Sequence, residues 1–125
     1  MPVANQLAAW IGILLGSLAG AALGLFFHRD NWLGGYASWP RRMLRLGHIS
    51  FFGIGLINLA FAVSVPALAL DQVPVWPSRL FILALITMPS LCYASAFWKP
   101  ARHLFFVPVL CVIVGAGTFV LAMVQ

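Results

Sequence analysis

Three histidines, His28, His48 and His103, carry most of the chemistry this 125-residue sequence has to offer. An imidazole can ligate a metal or haem iron, or pass a proton. His48 lies within "RRMLRLGHISFFGIGLINLAF", residues 41–61, which opens on arginines and then runs apolar apart from His48, Ser50 and Asn58. An ionisable group in such a run is by default a functional hypothesis. The expected alternatives are a structural imidazole, a haem b or transition-metal ligand paired with His103 or His28, and a proton or substrate contact. Gly55 and Asn58 are the candidate pocket lining, with Phe51, Phe52, Phe105 and Phe106 as aromatic walls. Asn58 can equally bond across a helix interface.

The positions of these residues depend on the spans that carry them. The chain is 63% hydrophobic and only 7% charged, against about 25% charged in ordinary soluble domains. A bilayer-spanning helix needs about 20 apolar residues. Continuous apolar runs predict four such helices, at about residues 7–27, 43–65, 80–98 and 104–124, in a single domain of residues 1–125. The expected fold is all-α: an integral membrane, antiparallel four-helix bundle, because the connectors are short and rich in Gly and Pro. Helices two and four then both return from the side that holds His28, which brings the three imidazoles toward one face.

Charge gives the expected orientation. Arg29, Arg41, Arg42, Arg45, Lys99 and Arg102 fall in or beside the first and third connectors, and only Arg79 in the second. Basic connectors stay cytoplasmic, so both termini are expected on the non-cytoplasmic side, most simply of a bacterial inner membrane. The net charge of +5 does not point to nucleic acid, because the basic residues flank apolar spans. Arg41, Arg42 and Arg45 are expected to contact anionic lipid or a partner. Trp10, Trp32, Trp39, Trp76 and Trp98 lie near span ends, as interfacial anchors do. The first span has no basic residue before it and Arg29 after it, the reverse of a signal peptide.

"GILLGSLAGAALG" places Gly12, Gly16, Gly20 and Gly24 four residues apart. Residues at that spacing share a helix face, and Ala8 extends it. Such a groove admits another backbone, belonging to helix two, to helix four, to a second copy or to another subunit, or else a ligand. Pro89 and Pro108 predict kinks in helices three and four, with Ser90 placed to satisfy a freed carbonyl. Cys92 and Cys111 read as buried small apolar residues. Metalloprotease, serine-hydrolase and nucleotide-loop motifs are absent, and the only carboxylates, Asp30 and Asp71, sit in connectors. Ser50 is two residues from His48 and so faces another side of the helix.

The leading functional expectation is a small non-catalytic membrane subunit or assembly protein, packing through the helix-one seam into a larger complex or onto itself. The alternative is a haem b- or metal-binding protein for electron transfer or cofactor delivery. A third class is a transporter-like protein for a small molecule or lipid.

Overall fold

The computed structural model describes residues 2–125, which form four long helices: α1 (Val3–Phe26), α2 (Trp39–Ala67), α3 (Val75–Phe97) and α4 (Phe106–Met123). Two 3-10 turns, Trp32–Gly34 and Lys99–Leu104, lie in the first and third connectors. All four helical segments are long and apolar enough to cross a membrane, and the chain has the character of an integral membrane protein.

Helices α2 and α3 begin about four residues earlier than the apolar runs imply, because their first turns recruit connector residues. Ser38 caps α2 by accepting from the Arg41 N–H, and Pro40 occupies the first turn. Pro74 precedes α3, with Pro77 in its first turn. Proline is tolerated there because the N–H it lacks would have no intrahelical partner. In the first connector the chain reverses through Leu33, Gly34 and Gly35, at φ +52°, +89° and +99°. Two glycines in sequence suit that left-handed path, which side chains disfavour.

Helix α1 packs along α2, α2 along α3, and α3 along α4. Contacts run in opposite register at each step. Gly12 and Gly20 of α1 meet Phe51 and His48 of α2, Asn58 of α2 meets Phe81 of α3, and Gly115 of α4 meets Phe81 and Leu80. Consecutive helices are therefore antiparallel. The bundle is an open series in which α2 and α3 are the inner helices. Apolar grooves open between the helices, among them one of about 420 Å³ between α2 and α4 and one of about 370 Å³ between α1 and α3.

The core has two parts. Ile54, Ala84, Leu85 and Cys111 pack at mid-depth. Phe61, Phe81 and Phe119 form an edge-to-face cluster further along, with centroids 5.7 and 4.9 Å from Phe61. Cys92 and Cys111 are buried and unbridged.

The Ser90 hydroxyl and Pro108 are placed differently from the sequence expectation. Helix α3 continues through Pro89, and the Ser90 hydroxyl donates to the Ile86 carbonyl at 2.6 Å, not to the Leu85 carbonyl four residues before the proline. Pro108 lies in the first turn of α4, so the irregularity falls before the helix, in the 3-10 turn.

Candidate functional site

The structure gathers polar side chains at three depths, and each group ties α1 or its connector to the inner helices. The first, near the N-terminal ends of α1 and α3, is a three-helix clamp. The Asn5 amide nitrogen donates to Asn58 Oδ1 at 2.8 Å and to the Ser78 carbonyl at 3.0 Å. The Ser78 hydroxyl donates back to Asn5 Oδ1 at 2.5 Å. The Asn58 amide nitrogen donates to the Ile54 and Phe81 carbonyls at 3.0 and 2.9 Å. Both asparagines are fully buried, and each has both N–H groups and its oxygen engaged, as burial away from water requires. Asn58 is thus a bond across helix interfaces. Asn5 and Ser78 were not singled out from the sequence. The available signal was the spacing of Asn5, Ala9, Gly12 and Gly16, which share the buried face of α1.

The second group is His48. Its Nδ1 donates to the Gly16 carbonyl at 2.8 Å; a carbonyl only accepts, so the proton sits on Nδ1. The ring stands edge-on to Phe52 at 5.4 Å and lies over Gly20, where an added Cβ would come within 2.5 Å of Cε1. The seam is therefore filled from within the chain. Gly12 faces Leu85 and the Phe51 backbone, Gly16 faces Phe51 and Phe52, and Gly20 faces His48. Only Gly24 has open space beside it. The seam continues through fully buried Ala9 more than through half-buried Ala8. Gly55 accommodates the Ala9 carbonyl, 3.4 Å from where its Cβ would be, so α1 occupies the space that Gly55 clears. Gly47 faces Tyr93 and Cys92 of α3 instead.

His28 and His103 are exposed. The turn that carries His103 packs on α3, whereas the His48 ring faces α1. No group of three or more His, Cys, Asp or Glu able to hold a metal ion occurs among the described residues.

The third group is an arginine cage at the end that holds the first and third connectors. Arg41 is 5% exposed. Its guanidinium lies 5.6 Å from the ring centroids of both Trp32 and Tyr36 and donates to the Arg29 and Asp30 carbonyls at 3.3 and 3.5 Å. Arg45 stacks on Tyr36 at 3.9 Å and donates to its carbonyl at 2.9 Å. The planar, always-charged guanidinium suits such stacking. Arg41 and Arg45 therefore order the connector, and of the three only Arg42 is exposed. Nearby, Trp39 Nε1 donates to the Ser95 carbonyl at 2.6 Å, while the Tyr93 and Ser95 hydroxyls are buried without a partner.

Comparison with protein-family models, with curated proteins and with solved structures finds no match.

Proposed function

We propose that this chain is a small non-catalytic integral membrane subunit or assembly protein of a larger membrane complex. The supporting observation is the open series of helices. Only 17% of the apolar windows of α1 and α4 is buried, against 39% for α2 and α3. The polar clamp, His48 and the arginine cage all serve internal packing, and three seam glycines are covered by the chain's own helices. Partner helices would therefore meet the outer faces of α1 and α4, not the seam. In this reading the basic connectors face the cytoplasm of a bacterial cell and both termini face outward, following the six-to-one distribution of Lys and Arg.

The test is native electrophoresis of membranes solubilised in mild detergent, with the chain detected by a terminal tag. The expected result is migration with a complex several times the mass of the 13.6 kDa chain. Migration as a lone chain in its micelle, from freshly solubilised native membranes, overturns the reading.

One observation favours a second reading, haem b or metal binding at His48. An Nδ1–H held by a backbone carbonyl orients an imidazole and leaves Nε2 with its lone pair, the arrangement found in ligating histidines. The close approach of the ring to Gly20 favours the packing role. A reduced-minus-oxidised spectrum of protein from its native membrane separates the two, since haem gives sharp reduced α and β bands.

A further inference from the structure

The groove between α2 and α4 is apolar throughout, and basic residues continue its two helices toward the connectors. Its walls are Leu46, Ile49, Gly53 and Ile57 from α2 and Pro108 and Val112 from α4. Its one hydroxyl, Ser50, is tied back to the Gly47 carbonyl at 2.8 Å. A ligand seated there finds apolar surface and no free hydrogen-bonding group. At Gly53 an added Cβ meets nothing within 4 Å, so the groove is deepened by a missing side chain.

Arg42 lies one helical turn before Leu46 and on the same stripe of α2 as Leu46, Ile49, Gly53 and Ile57. Arg102, in the turn before α4, reaches Trp39 in the first turn of α2, with its guanidinium 6.0 Å from the ring centroid. Both arginines are exposed. The chain has only two carboxylates, Asp30 and Asp71, and the contacts recorded for its arginines go to backbone carbonyls and aromatic rings. Arg42, on the stripe of α2 that lines the groove, and Arg102, in the turn that leads into α4, are thus two cations without acidic partners among the described residues, each a turn or more beyond the lining of an apolar channel about 420 Å³ in volume.

We propose that this groove is a binding site for an anionic diacyl phospholipid, with one acyl chain along Gly53 and the headgroup phosphate between Arg42 and Arg102. The apolar lining excludes a polar ring or a free anion as the buried part, and the arginines select for negative charge at the head. Arg41 and Arg45, engaged with aromatic rings and carbonyls, take no part. The inference is independent of any partner complex.

Native mass spectrometry of the full chain in mild detergent tests it. The probes are dioleoyl phosphatidylglycerol, dioleoyl phosphatidylcholine and inorganic phosphate. Each arginine near an anionic headgroup contributes about five-fold in affinity, so phosphatidylglycerol is expected to bind about 25-fold more tightly than phosphatidylcholine. Arg42→Gln with Arg102→Gln should remove that preference and leave phosphatidylcholine binding unchanged. Gly53→Leu, whose side chain enters open space, should weaken both lipids. Phosphate alone should not bind. Equal binding of the two lipids, an unchanged preference in the arginine variant, unchanged binding in Gly53→Leu, or phosphate binding without lipid would each overturn the proposal. A lipid-free dimer that Gly53→Leu dissociates would assign the groove to a second copy instead.

Discussion

The asparagine clamp makes a quantitative claim that a double-mutant cycle can check. Asn5→Ala deletes three bonds that join α1 to α2 and α3. Asn58→Ala deletes two that cross between helices, to Asn5 and to Phe81. Interhelical side-chain bonds in membrane proteins average about 0.6 kcal/mol, with a ceiling of about 1.7, because the unfolded chain in lipid also finds partners. Asn5→Ala should then cost about 1.8 kcal/mol and Asn58→Ala about 1.2. The bond between the two side chains is counted in both, so the double variant should lose about 2.4 kcal/mol, not 3.0, a coupling of about 0.6. The assay is reversible unfolding in mixed micelles by sodium dodecyl sulfate titration, followed by tryptophan fluorescence. Ser90→Ala is the control, since that hydroxyl returns only to its own helix. A double-variant loss equal to the sum of the singles within about 0.3 kcal/mol, or a neutral Asn5→Ala, would refute the clamp.

The seam glycines should divide sharply. Gly20→Leu must displace His48 and is expected to cost about 1–3 kcal/mol, whereas Gly24→Leu meets open space and should leave the melting temperature in mild detergent unchanged. His48→Ala should destabilise by roughly 1–2 kcal/mol through the lost bond to Gly16 and the void over Gly20, read in the same melt. Arg41→Gln should loosen the first connector and speed tryptic cleavage after Arg29 several-fold, whereas Arg42→Gln should not. The proposed orientation predicts that a cysteine placed at Asp71 reacts in intact cells or spheroplasts with a membrane-impermeant maleimide, and that one placed at Ala37 does not.

The four spans were legible because length and continuous apolarity are enough to specify a bilayer helix. Their starts were less so. Trp39-Pro40 and Pro74 to Pro77 read as connector, yet proline is compatible with a first turn, and the structure begins α2 and α3 with them. The buried cysteines were legible too, whereas the glycine seam was legible only as a spacing: α2 and α3 cover Gly12, Gly16 and Gly20, and Gly24 faces open space. Four glycines specify a bare surface, and only tertiary placement brings α2 onto it. Asn5 stands beside Gln6 at the start of α1, where adjacent polar residues resemble a helix end more than an interface. The caging of Arg41 was hidden for a different reason. It depends on the left-handed path at Leu33 to Gly35, which brings Trp32 and Tyr36 back over α2, and charge counting along the chain carries no trace of it.

The polar contacts are distributed unevenly over the helices, and that has a consequence for the groove. Helix α1 is held to the inner pair by directional bonds from the asparagine clamp and from His48, and its connector is fixed by Arg41. Helix α4 has no such tie among the described residues. Its one side-chain hydroxyl, Thr118, bonds back to the Val114 and Gly115 carbonyls of its own helix. What joins α4 to its neighbours is shape: Phe81 against Gly115, Phe119 against Phe61, and Cys111 among Ile54, Ala84 and Leu85. Lipid tails match such surfaces in polarity, so no hydrophobic force holds them together within the bilayer, and dispersion and fit must supply the adhesion. An acyl chain in the α2–α4 groove would extend that fit along the face α4 leaves uncovered. The helix with the weakest internal attachment is thus the one whose packing a bound lipid would complete.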